Sequence, residues 1–231
     1  LVLGGGHTFE TPVFGAYYSV AAFLPYSWLD LSANIQRPGG AVSRSTTVSD
    51  FGDMTVVPIM LAWKTGEWQI DAMLPVFAPT GSYEEGRVGN PSLNYWTYDP
   101  NIGVAYNGKK SGFNGLLRLG YAINSENNAT NYESGSILHF EGSMEQLIPA
   151  GGGMFALGAE AFYFDQVTCD SGSGAVLGCF EGRTAGIGPV LGYIRPLGEQ
   201  TLVLELKWLP EMDTKNRLEG DYTWLKAVYK F

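Results

Sequence analysis

The sequence predicts an all-β fold: a single transmembrane antiparallel β-barrel of about twelve strands, with short periplasmic turns and long extracellular loops. Three observations carry that expectation. Segments of roughly ten residues put apolar side chains on every second position, the period of a strand with two chemically different faces. The links between these segments alternate between short and long, as they do in outer-membrane barrels. No stretch approaches the ~18 uninterrupted apolar residues of a membrane helix, and the richest run, 55–63, carries Pro58.

Taken in order, strands are expected at 13–24, 28–37, 54–63, 66–77, 98–107, 112–123, 136–147, 153–164, 184–195, 200–210 and 220–231. Short links fall at 25–27, 65, 108–110, 148–151 and 196–199, and long ones at 38–53, 78–97, 124–135, 165–183 and 211–219. In 28–36, Leu29, Leu31, Ala33 and Ile35 alternate with Asp30, Ser32, Asn34 and Gln36. In 67–77, Trp68, Ile70, Ala72 and Leu74 oppose Gln69 and Asp71. In 137–145, Leu138, Phe140 and Met144 oppose His139, Glu141 and Glu145. Phe155, Leu157, Ala159 and Ala161 oppose Glu160, and Leu204, Leu206 and Trp208 oppose Glu205 and Lys207. At the end of the chain, Leu225, Ala227, Tyr229 and Phe231 alternate with Trp224, Lys226, Val228 and Lys230. A terminal aromatic residue on such a strand suits an outer-membrane assembly signal.

The first and last of these strands both run toward the short-turn side. An even, closed barrel then needs one more strand before residue 13, giving about twelve. Leu1, Val2 and Leu3 read as its remnant, with 4–12 as the first loop. Residues 1–231 are therefore read as a single barrel domain with an incomplete N-terminal strand, and the opening at Leu1 without a basic leader reads as a mature or truncated form.

Composition removes other classes. A net charge of −9 argues against nucleic acid, which needs clustered Lys and Arg. Two cysteines, Cys169 and Cys179, flank a Gly/Ser-rich segment with no further Cys or His beside them, so a disulfide closing a surface loop is expected and a metal site is not. Nothing matches a cofactor motif: Gly151-Gly152-Gly153 lacks the Lys and Ser/Thr of a phosphate loop. Carboxylates in the long loops, Glu84, Glu85, Glu133 and Asp170 among them, suit a divalent-ion network with lipopolysaccharide, or simple solvation.

If the apolar face meets lipid, the opposite face lines a lumen. The permeation candidates are then Asp30, Asp71, Arg118, His139, Glu141, Glu160, Glu205, Lys207 and Lys226. Both signs occur, so these groups either pair across the barrel, wall to wall, and stiffen it, or form a charged ladder past which solute moves. Pro58 and Pro75 lie inside neighbouring strands, where each removes a ladder donor, and mark a candidate break in the wall.

At Asn94-Tyr95-Trp96-Thr97, in 132–139, in 170–178 and at Glu181-Gly182-Arg183, the chain resembles the outer-membrane channel family named after the meta-cleavage pathway of phenol degradation. Residues 79–83, Lys207-Trp208 and Asn216-Arg217 add to the likeness, which runs from about residue 14 to Phe231. The resemblance implies a twelve-stranded barrel that takes up small hydrophobic or aromatic compounds. The expected function is a passive outer-membrane channel for such solutes, monomeric, without cofactor, surrounded by membrane lipid and lipopolysaccharide, with a lateral exit at the prolines. Two alternatives stand beside it: a plugged structural or adhesive barrel, and an outer-membrane lipid hydrolase built on His139. The hydrolase needs a nucleophile within reach of its base, yet the nearest downstream serine is Ser143 and His139 falls on the polar phase.

Overall fold

The computed structural model describes residues 1–37 and 40–230, and side chains outside 35–37 and 41–42. Phe231 and the Ile35 and Gln36 side chains, which entered the alternation above, lie outside the described residues. The strands are β1 (Val2–Thr8), β2 (Tyr17–Arg37), β3 (Gly40–Phe51), β4 (Met54–Thr65), β5 (Trp68–Ala78), β6 (Thr97–Tyr98), β7 (Asn101–Asn107), β8 (Phe113–Asn124), β9 (Ile137–Ala150), β10 (Gly153–Gln166), β11 (Arg183–Leu197), β12 (Gln200–Lys215) and β13 (Asp221–Lys230). They form one 13-stranded sheet in the order β1-β2-β4-β5-β6-β8-β9-β10-β11-β12-β13. β6 and β7 share one place between β5 and β8, and β3 pairs with β2. Every pairing is antiparallel, so β1 and β13, ten steps apart, run the same way; no ladder joins them among the described residues.

The links sort by end. Turns at 66–67, 108–112, 151–152 and 198–199 lie at one end of the wall, and the long links 79–96, 125–136, 167–182 and 216–220 at the other. The β2–β3 hairpin also rises on the long-loop side, and the link 9–16 lies at the short-turn end.

The start of the chain departs from the expectation. Residues 25–27 are not a turn: β2 runs unbroken through Pro25. On one side Pro25 stands opposite Val2, the last pair of β1; on the other, β2 changes partner from β4, at Phe23↔Thr55, to β3, at Tyr26↔Phe51. A proline at that exchange breaks no continuous ladder, and its carbonyl accepts the Gly52 N–H at 2.9 Å. Consequently 38–53 is not a loop, since β3 fills most of it, and 4–12 is not the first loop, since β1 reaches Thr8. β2 runs toward the long-loop side, opposite to the direction expected of 13–24.

The faces follow the register. Phe140 pairs with Leu119 and Tyr163, and Leu157 with Leu191, keeping apolar residues in phase across β8–β11. That face is open: Leu117 is 65% and Met144 59% exposed. In water, so broad an apolar surface would drive association; a wall facing hydrocarbon requires it.

Candidate functional site

On the other face, side chains from strands two places apart meet, as they do where a sheet curls inward. Asp71 on β5 and Arg118 on β8 form an ion pair at 2.8 Å across β7, where Gly103 leaves the space between them. Arg118 also donates to Asn101 at 2.6 Å. Lys207 on β12 donates to Glu160 on β10 at 2.7 Å across β11, and Lys226 to Glu205 on the adjacent strand at 2.8 Å. All three pairs join adjacent or next-but-one strands along one stretch of the wall. Asp71 is 6% exposed, its carboxylate enclosed beside Arg118. Glu141, with its side chain 45% exposed, keeps an open carboxylate; its nearest ion-pair contact is His139 Nδ1 at 3.8 Å.

His139 is buried, hydrogen-bonded through Nε2 to Asp99 at 2.8 Å and stacked on Phe164 with ring centroids 5.3 Å apart. No serine or threonine hydroxyl is among its partners in the described residues. Gly120, directly opposite on β8, makes room for the ring: a Cβ there would stand 2.2 Å from Nε2. From Phe164 the rings continue to Phe162 at 5.7 Å and on to Tyr222 at 6.4 Å. With Trp224, these rings wall a chamber of about 380 Å³ that also holds Glu141, Glu160 and Lys207.

Asp30 departs from its assignment. The inward assignment took the apolar phase of 28–36 to face lipid, whereas on this hairpin that phase is covered by a link. Asp30 pairs with Thr47 on the β2–β3 hairpin, and Leu31, its neighbour on the other face, packs against Gly89 of the long 79–96 link. Asp30 is exposed on the face turned away from that link.

The proline hairpin carries a bulge. Along β4 and β5, Val56 pairs with Val76 and the next pair is Ile59 with Leu74, so Val57 and Pro58 stand opposite Pro75 alone. The β2–β4 ladder slips at the same place, between Ser19 and Ala21. Pro58 and Ile59 are both exposed, as consecutive residues are at a bulge. The prolines' own carbonyls are both satisfied: Tyr18 Oη donates to Pro58 O at 2.8 Å and Asp99 N to Pro75 O at 2.9 Å. Beside the bulge, the expected strand 98–107 is itself divided at Asp99-Pro100 into β6 and β7. On the apolar face a groove of about 450 Å³ opens there, walled by Ile59, Leu74, Pro100, Ile102 and Tyr121. A larger groove of about 610 Å³ lies farther along the same face, around Leu117, Gly142 and Tyr163.

The long links are fastened over the end of the wall. Asp53 accepts the N–H groups of Gly81 and Leu93, and the buried Asn127 accepts from Asn94 while donating to Leu93 O. Asp170 accepts from Gly135 N–H and Gln166. Burial first, and then the hydrogen bond to Asp170, holds the Tyr132 hydroxyl protonated above its ordinary range. Cys169 and Cys179 are disulfide-bonded within the 167–182 link, with Cα atoms 4.5 Å apart. Glu181 lies close to the two sulfurs, but their bond to each other takes them out of metal chemistry.

The sequence reading missed Asp99, Asn101, Phe162, Phe164, Tyr222, Glu211 and Arg217 as site residues. A signal existed for Asp99, since Asp-Pro favours a break in regular structure. The aromatic residues carried none, because rings on a polar phase look like any strand residue.

Residues 2–227 match the model of the family described as "Putative MetA-pathway of phenol degradation". No curated protein matches the chain. Its structure is similar to the crystal structure of an outer membrane channel from Pseudomonas putida F1, with a TM-score of 0.71 and 14% identity over 99% of this chain and 81% of that one. At that identity the likeness shows a shared fold. With the family model matched over nearly its whole length, the chain belongs to the family described as the MetA pathway of phenol degradation.

Proposed function

We propose that this protein is a passive outer-membrane channel for small hydrophobic or aromatic compounds, acting without cofactor and without catalysis. The observation that carries the proposal is the division of one wall into two faces. One is open and apolar, fit for lipid; the other gathers paired charges and an aromatic chamber, fit for water and solute. In this reading the wall closes into a barrel of about twelve strands. The parallel edges β1 and β13 accept one more strand of opposite direction between them. The long links face the cell exterior, where their carboxylates meet lipopolysaccharide, and the barrel works as a monomer.

We further propose that an apolar solute can leave sideways at the proline bulge. Three features support this: the slipped ladder at Pro58 and Pro75, the groove beside it on the apolar face, and the row of rings that reaches the same place through His139 and Asp99. A solute sparingly soluble in water gains free energy by passing directly into hydrocarbon.

Liposomes holding the purified protein test the reading. With a lipopolysaccharide outer leaflet, they should take up benzyl alcohol and toluene faster than protein-free liposomes of the same composition, with a rate proportional to the gradient and no product other than the solute itself. No acceleration would leave a plugged structural barrel, and released fatty acid would indicate a hydrolase.

A further inference from the structure

A second cavity, of about 660 Å³, lies above the aromatic chamber among the long links, with Leu93, Tyr132, Phe180 and Leu218 in its lining. The two cavities have four residues in common: Phe164, Glu211, Arg217 and Tyr222. The two cavities therefore adjoin at a neck formed by these four side chains.

Their charges are not equally available. Glu211, at the top of β12, has its side chain only 2% exposed. It accepts from Arg217 at 3.1 Å, from Gly220 N–H at 2.9 Å and from Tyr222 Oη at 3.3 Å. Those three bonds use the carboxylate and pin the 216–220 link inward. The link's other end is held by Asn216, which donates to Glu181 O at 2.9 Å. Arg217 keeps 39% of its side chain exposed. A guanidinium has five N–H donors, and one bond to Glu211 leaves most of them free. The open charge at the neck is thus positive, although the chain as a whole is acidic.

We propose that Arg217 is the selectivity residue at the neck between the two cavities, and that Glu211 is the positioning residue that holds it there. The proposal rests on the channel reading. Arg217 meets each solute before the chamber does and lowers the passage of cations relative to anions.

The test is the zero-current potential of the full chain in planar bilayers under a potassium chloride gradient, with heat-modifiable gel migration confirming the fold of each variant. Arg217→Gln should shift that potential toward cation selectivity, and Arg217→Lys should hold it near the wild-type value. Should Arg217→Gln fail to fold, Arg217→Met serves as the neutral variant. In a Glu211→Gln background the same neutral substitution should produce a clearly smaller shift, since the guanidinium is no longer held in place. Equal shifts in both backgrounds would remove Glu211 from the positioning role. No shift from a folded neutral variant of a conducting channel would overturn the assignment of Arg217. A wild-type protein that passes no current would overturn the channel reading itself, and the neck proposal with it.

Discussion

Gly103 and Gly120 act by what they lack. Gly103 stands between a charged pair and Gly120 opposite His139, and a Cβ at Gly103 would lie 2.9 Å from Asp71 and 3.0 Å from Arg118. Gly103→Ala should push that pair apart and cost about 1–3 kcal/mol, as overpacking does, measured as a fall in the urea midpoint for unfolding in detergent or lipid. An unchanged midpoint would mean the pair has room to move. Face assignment makes a second prediction at this scale. Leu157→Arg should cost roughly 2–4 kcal/mol near the bilayer midplane, while Glu141→Arg, on the open polar face, should leave the unfolding midpoint nearly unchanged; equal costs at the two sites would contradict the assignment. Alternation made Asp71, Arg118, His139, Glu141, Glu160 and Lys207 legible, because phase is a local property. Their partners were not legible where they came from distant strands: Asp99 lies 40 residues from His139, and no local pattern joins them. Asp30 failed for a different reason: Leu31 beside it was taken to face lipid, whereas it packs against Gly89 of the 79–96 link.

Prolines were legible as disturbances but not as to kind. A ring without an N–H cannot serve a continuous ladder, so Pro58 and Pro75 mark a bulge; the same chemistry at Pro25 produced no turn, because β2 exchanges partners there. If the bulge serves a sideways exit, Pro75→Val should add a backbone donor beside the bulge and slow uptake of toluene into liposomes more than it lowers potassium conductance. Equal falls in both fluxes would leave only an axial path. The disulfide was legible from composition and spacing. Closing a loop of about ten residues restricts the unfolded chain by about 2–3 kcal/mol. Cys169→Ser together with Cys179→Ser should therefore lower stability by that order, read from denaturant unfolding, and a value indistinguishable from zero would show that the loop's hydrogen bonds already hold it.

For the whole molecule, parity argued from the sequence gave an even barrel of about twelve strands, but by a route the structure changes. The strand taken as first is the lower half of β2 and runs the opposite way, and the strand taken as a remnant is β1. Because 13–24 and 28–37 are one strand, the sheet has eleven places among the described residues, and its edges β1 and β13 run parallel. Local patterning identifies strands and faces well, whereas direction depends on every turn being assigned correctly. The central claim is that a single wall divides lipid from a water-filled path. Single cysteines placed along β9, with the native disulfide intact, test it most directly. With a membrane-impermeant thiol reagent applied to the protein in liposomes, cysteine at positions 141, 143 and 145 should react, and cysteine at 140 and 144 should not. Reaction at Glu141→Cys should also reduce solute uptake. Equal reaction at neighbouring positions, or full uptake after complete labelling at 141, would contradict the account.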